Sequence, residues 1–190
     1  MIETTLMTTI VAIALLLILS AFFSGTETAL TGSSRPLMHQ LEQRGSRRAR
    51  LVNQLHERKP HLIGAILIGN NLVNILASAL ATSALITAFG EAGIVYATLI
   101  MTSLVVMFAE ILPKTYALQN SDRVSLRVAP IIQPIVFLLS PFTRTTSFIV
   151  RITLKIFGIQ LNEPDEFDSK TDELRGAIEL HEGEDEAIGH

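Results

Sequence analysis

Seven polar residues stand inside stretches of this chain that are otherwise fit only for lipid. Ser20, Ser24 and Glu27 lie in the first apolar run, Asn70, Asn71 and Asn74 in the second, and Glu110 in the third. A carboxylate at the centre of a bilayer costs on the order of 2.5–3.5 kcal/mol even on lenient insertion scales. A chain that repeats a cost of this kind on three runs is most simply read as building a polar site between helices. All seven offer oxygen, and neither Cys nor His is among them. Oxygen donors suit a hard cation.

Each cluster also has a plainer reading. Ser20, Ser24 and Glu27 share one helical face, and Gly25 invites an irregular turn that exposes carbonyls. The alternative is a hydroxyl bonded back to its own helix, with Glu27 close enough to the surface to be solvated. Asn70 and Asn74 are four apart on a helix thinned by Gly64, Gly69, Ala77, Ala81 and Ala84. Asn among small residues is equally ordinary glue between membrane helices. In the third run Ser103, Met107, Glu110 and Lys114 form one stripe, and Pro113 cannot donate to the Ala109 carbonyl. That oxygen is then free beside Glu110, unless the feature is a proline kink with Glu110 paired to Lys114. Mg²⁺ takes six oxygens at about 2.0–2.1 Å, which one carboxylate, amides, hydroxyls and water supply. Na⁺ and Ca²⁺ use the same donors, so donor type alone does not choose among them.

The elements that position these residues are three apolar spans, roughly 5–28, 62–89 and 94–116. Each has the ~20 residues needed to cross ~30 Å of hydrocarbon. The turn Gly90-Glu91-Ala92-Gly93 makes the last two a tight hairpin. Between spans one and two, Arg35, Arg44, Arg47, Arg48, Arg50, Arg58 and Lys59 face only Glu42 and Glu57, and the hairpin turn has no basic residue. The positive-inside rule therefore puts the N-terminus outside and everything after Lys114 in the cytoplasm. The first span has no basic residue before it, so it reads as retained and not as a cleaved leader.

The 31–60 loop reads as two short amphipathic helices at the inner headgroup layer, with Pro36 in a first turn, Gly45 as a C-terminal cap and Pro60 as a stop. Residues 128–142 are apolar but contain Pro130, Pro134 and Pro141. They read as an interfacial or re-entrant segment, continued by a stretch whose Arg144, Arg151 and Lys155 snorkel. The chain is thus an all-α membrane protein: three transmembrane helices, short cytoplasmic helices and a juxtamembrane or interfacial helical belt.

Composition agrees. The mean hydropathy is +0.42, with 48% hydrophobic and only 17% charged residues. Residues 1–160 carry 13 Lys and Arg against 7 Asp and Glu, whereas 161–190 carry 2 against 11. A membrane domain over 1–160 is therefore followed by the start of an acidic segment over 161–190, with a helix expected from Thr171. The absence of Cys removes disulfides and thiol chemistry. The basic residues are explained by membrane topology, and no nucleic-acid partner is indicated. An intramembrane hydrolase is disfavoured, because the intramembrane Ser residues have no plausible His partner; the chain does not read as an enzyme.

The residues 23–29, Phe-Ser-Gly-Thr-Glu-Thr-Ala, resemble the first signature of the transmembrane (DUF21) domain of CorC / cyclin-M (CNNM) magnesium transporters. Gly69-Asn70-Asn71-Leu72-Val73-Asn74-Ile75 and Ala109-Glu110-Ile111-Leu112-Pro113-Lys114 resemble its second and third motifs, with Ala109 where Gly is common. The resemblance covers about 1–160. It implies a homodimer in the cell membrane and a Mg²⁺ site lined by Ser20, Ser24, Gly25, Asn70, Asn74 and Glu110, Gly25 acting through its backbone or geometry. It also implies Mg²⁺ export coupled to Na⁺. Fuller members carry nucleotide-binding CBS domains after the acidic segment; this chain stops before them, so ATP binding is not expected of it. The acidic tail would then sense Mg²⁺ by charge neutralisation. The competing reading is a non-transporting membrane anchor that senses Mg²⁺ and regulates a partner.

Overall fold

The computed structural model describes residues 2–157, which are helical nearly throughout; no strand occurs among them. The acidic segment and the helix expected from Thr171 lie outside the described residues. The chain divides into two compact units, Met1–Thr145 and Thr146–His190. All three polar clusters belong to the first.

Helices α1 (Ile2–Gly32) and α4 (Lys59–Phe89) have 31 residues each, about 46 Å at 1.5 Å per residue. They run antiparallel. Ser20 meets Asn70, Phe23 meets Gly69, and Ile13 and Leu16 pack with Ala77 and Ala81, so rising numbers on one helix match falling numbers on the other. The third span is composite: α5 (Ala92–Leu104), a π-helical segment (Val105–Ile111) and α6 (Leu112–Gln119). It runs parallel to α1, with Met101 packed near Leu16 and Leu17, Gly25 against Pro113, and Gly32 against Ser121 just beyond α6.

The 31–60 loop forms the two expected helices, α2 (Arg35–Gln43) and α3 (Arg47–Glu57). Ser34 and Ser46 cap their N-termini by accepting from the Leu37 and Ala49 amides. Gly45, at φ 89°, ends α2. Its N–H reaches the Glu42 carbonyl and that of Ser46 reaches Leu41, the paired bonds of a Schellman motif that needs a left-handed residue. Glu42 also ties the two helices together, accepting from Asn53 Nδ2 at 2.6 Å and Arg50 Nε at 3.3 Å. The Asn53 bond foremost, with Arg50, holds its carboxyl below the ordinary range. The apolar faces of α2 and α3 pack on protein. Met38, Val52 and Leu55 are buried in one protein core with Leu30, Leu62 and Ile66.

Residues 121–156 form a single helix, α7 (Ser121–Ile156), with Pro130, Pro134 and Pro141 inside it. This continuity removes the re-entrant form of the 128–142 segment. By length and composition four helices could cross a membrane, Leu6–Gly32, Lys59–Phe89, Ala92–Gln119 and Ser121–Ile156, one more than the sequence suggested. The contacts of α7 within the first unit nevertheless favour a belt. Ser121 abuts Gly32 at the end of α1, and Thr143 abuts Gly64 near the start of α4. In the α1–α4 register those two points lie about five residues, roughly 8 Å, apart in depth. Yet 22 residues of helix, about 33 Å, separate Ser121 from Thr143. Residues 121–143 therefore run across the Arg-rich end of the bundle, with Ala129 and Ile132 in the same core as Met38 and Val52.

Two polar ties fasten this end. The Ser34 amide donates to Asp122 Oδ1 at 2.8 Å. His56 Nε2 lies 2.7 Å from the Leu30 carbonyl and 3.2 Å from Ser33 Oγ. The Leu30 oxygen belongs to the last turn of α1, where carbonyls lack intrahelical partners. Replacing His56 by Ala should lower stability by about 1 kcal/mol, read as earlier thermal unfolding of the detergent-solubilised protein. Because Ser33 Oγ also donates to Leu30, the double substitution His56→Ala, Ser33→Ala should cost more than the sum. Additive losses would show that the two donors do not share this acceptor.

Candidate intramembrane polar site

Ser20 lies one residue past the midpoint of the Leu6–Gly32 stretch. It is fully buried, and its hydroxyl donates to Asn70 Oδ1 at 2.9 Å. This bond joins the first two polar clusters directly. Ser24 is one turn along α1 and Asn74 one turn along α4. Because the helices are antiparallel, Ser24 and Asn74 fall on opposite sides of the Ser20–Asn70 bond. Side chains on a helix lean toward its N-terminus, so both lean back toward that bond. Ser24 Oγ and Asn74 Oδ1 are buried and have no hydrogen-bond partner among the described residues.

Small residues permit this approach. A Cβ on Gly69 would fall 2.7 Å from the tip of the Phe23 ring, and Phe23 is itself buried. The ring occupies the space that a side chain at 69 would need. The Gly25 reading needs correction on this point: α1 runs straight through it with no positive φ, so no irregular turn forms there. Gly25 is instead buried where a Cβ would meet Pro113 Cβ at 3.4 Å and its carbonyl oxygen at 3.5 Å. Its geometry sets how closely α1 approaches the third span.

Glu110 stands in the π-helical segment. The Gly25–Pro113 contact fixes the parallel register, and Glu110, one turn before Pro113, falls level with the α1 turn between Ser20 and Ser24. That is also the depth of Asn70. Glu110 is half-buried and makes no hydrogen bond or ion pair among the described residues. Lys114, the expected partner in the plainer reading, instead lies 3.8 Å from Glu27. So Glu27 serves as a tie to the third span, and Glu110 is left without a counter-charge. The Leu112 amide reaches back five residues to the Met107 carbonyl. Pro113 then interrupts the ladder, giving no donor to Phe108 in the π register or to Ala109 in the α register. π segments of this kind recur at functional sites.

The sequence did not signal the π segment, nor the buried Thr26 hydroxyl, which is also unpartnered. Asn71, grouped with its neighbours by sequence, is exposed and separate from the cluster. A further cavity of about 340 Å³ lies between α4 and the third span. It is lined by Asn74, Ser78 and Thr82 at four-residue intervals, and by Thr98 and Thr102 opposite. This hydroxyl-rich column leads from Asn74 toward the 90–93 turn. Among the described residues no three His, Cys, Asp or Glu side chains gather, so any cation here would be held by one carboxylate and neutral oxygens.

A family model for the cyclin M transmembrane N-terminal domain matches residues 10–188. The UPF0053 inner membrane protein YfjD of Escherichia coli is 37% identical over 142 residues, 75% of this chain and 33% of that protein. A UPF0053 protein of Haemophilus influenzae is 32% identical over 173 residues, 91% of this chain and 41% of that protein. A chloroplastic DUF21 domain-containing protein of Arabidopsis thaliana is 34% identical over 177 residues, 90% of this chain and 27% of that protein. The chain thus spans about a quarter to a half of the length of the curated relatives it matches.

The Gly69–Phe23 contact yields a packing test. Gly69→Ala should destabilise the protein by about 1–3 kcal/mol through overpacking, and Phe23→Leu in the same chain should restore most of the loss. A thermal-unfolding double-mutant cycle with no coupling between the two sites would contradict this contact.

Proposed function

Because the chain belongs to the cyclin M transmembrane domain family, we propose that it forms the membrane-crossing part of a Mg²⁺ transporter. Ser20, Ser24, Asn70, Asn74 and Glu110 would supply oxygens to the ion, with Gly25 setting the helix spacing. The observation that carries this reading is one of accounting. Buried oxygens on Ser24 and Asn74, one turn to either side of the Ser20–Asn70 bond, lack partners, and an unpaired carboxylate stands at the depth of that bond. Unsatisfied polar atoms in a lipid-embedded bundle are costly, and a cation resolves the deficit at one step. The neutral donors would replace part of the hydration shell while Glu110 offsets charge.

Residues near the middle of their spans suit alternating access, in which one site faces each side of the membrane in turn. The hydroxyl column from Asn74 toward the 90–93 turn supports a hydrated approach from the outer side. The N-terminus outside and the α2–α3 loop in the cytoplasm follow from the distribution of Arg and Lys. Export driven by Na⁺, and the cell membrane as location, rest on the family resemblance. A homodimer is supported by Asn71, an exposed amide near mid-depth without a hydrogen bond among the described residues. A second copy would spare it from lipid. Transport, not catalysis, is the activity this arrangement favours.

Purified protein in liposomes should pass Mg²⁺ above the protein-free background when a Mg²⁺ gradient is imposed, and faster with an opposing Na⁺ gradient. Glu110→Gln and Asn70→Ala should each lower that flux at least about tenfold, the equivalent of ~1.4 kcal/mol. Wild-type flux at background, with calorimetric Mg²⁺ binding that the same substitutions abolish, would replace transport by a sensing role.

A further inference from the structure

A cavity of about 830 Å³ opens between the end of α3, the first turn of α4 and the middle of α7. It contains none of the polar-cluster residues. Its lining joins two kinds of chemistry: Arg58, His61 and Arg144 on one hand, Leu62, Pro134 and Phe137 on the other. Neither arginine has a carboxylate partner among the described residues, although Glu57 lines the same space. Two guanidinium groups against one carboxylate leave one positive charge in excess between them. Phe137 is 83% exposed beside them, so a large apolar face adjoins the cationic one.

The position of the cavity narrows the choice of ligand. It lies where α4 starts its crossing and where residues 121–143 run laterally, the depth at which lipid phosphates sit. Arginine forks match phosphate oxygens, and basic pockets at the cytoplasmic face of helix bundles hold anionic head groups. A soluble anion would use the arginines and leave the apolar lining unexplained. An anionic phospholipid uses both. We propose that this cavity binds the phosphodiester of an anionic phospholipid, with Arg58 and Arg144 on its oxygens and an acyl chain along Phe137 and Leu62. One phosphodiester balances the single excess charge, which favours a lipid without a compensating ammonium. The inference rests on α7 lying at the membrane surface and is independent of which ion the bundle carries.

The test uses the intact chain in detergent, exchanged into equal mixtures of phosphatidylglycerol, phosphatidylethanolamine and phosphatidylcholine, with retained lipid quantified by mass spectrometry. Phosphatidylglycerol should be enriched several-fold over the other two. Arg58→Gln and Arg144→Gln should each reduce that enrichment roughly fivefold, whereas Arg48→Gln, on the exposed face of α3, should not. A second measurement needs no variant. Short-chain phosphatidylglycerol should raise the thermal stability of the wild type, and glycerophosphate at equal concentration should not. Equal stabilisation by glycerophosphate would make this a phosphate site and overturn the lipid proposal. So would retention of phosphatidylglycerol at no more than the phosphatidylcholine level, whether the cavity is empty or filled by the chain's own acidic residues beyond 160. Mg²⁺ flux is a separate readout, so failure here leaves the transport reading standing.

Discussion

The hydrogen bond between Ser20 and Asn70 is the constraint around which the bundle is organised. Inside hydrocarbon neither group has water to turn to, so each must find the other, and doing so fixes both the contact and the register of α1 against α4. The bond forms only because the helices come close. Gly69 gives up its side chain to the Phe23 ring, and Ala77 and Ala81 keep the seam thin further along. A slip of one residue would turn Ser20 about 100° away from Asn70 and bury two polar groups against methyls. Packing and hydrogen bonding therefore specify the same arrangement.

Once that register is set, the third span inherits it. Gly25 against Pro113 and Gly32 against Ser121 lock α1 to the parallel helix, and Glu110 arrives at the depth of Asn70 as a consequence. The π segment makes this position unusual. Its wider turn and the missing Pro113 donor interrupt the backbone ladder on the turn that carries the carboxylate. Ala109 is fully buried, so the small residue at this motif position is explained by space. At the other end of the bundle, α2, α3 and the lateral run of α7 bury Met38, Val52 and Ile132 together.

Much of this was legible in the sequence because it follows from local rules. The three apolar runs, the paired loop helices and Gly45 as a cap need only hydropathy, proline placement and left-handed backbone geometry. The three polar motifs stood out because oxygen donors are rare in lipid. What could not be read depends on neighbours. The apolar faces of α2 and α3 suggested a membrane surface, and only the tertiary contact shows them turned to Leu30 and Leu62. Lys114 lies four residues from Glu110, yet it reaches across to Glu27, a choice that no single-helix spacing reveals. Three prolines argued against a continuous α7. All three are exposed, so the carbonyls they leave unpaired need not be buried in protein. The π register left no mark beyond Pro113 itself.

Ordinary helix glue and an ion site make opposite demands on the same residues. Glue is best when every buried polar atom is paired within the protein. The chain has an easy means of doing so: Thr28, Thr31, Thr82, Thr98 and Ser103 all donate back to carbonyls four residues earlier. Ser24 is placed on its helix as favourably as Thr28, and its hydroxyl makes no such bond. Asn74 likewise leaves its oxygen unpaired beside a cavity lined with hydroxyls. An unpaired buried donor or acceptor costs about 1–3 kcal/mol, and Glu110 adds a carboxylate with no counter-charge. Cohesion between helices gains nothing from such deficits. The cation proposed above would offset them by bringing positive charge to several oxygens, a demand that glue alone does not make.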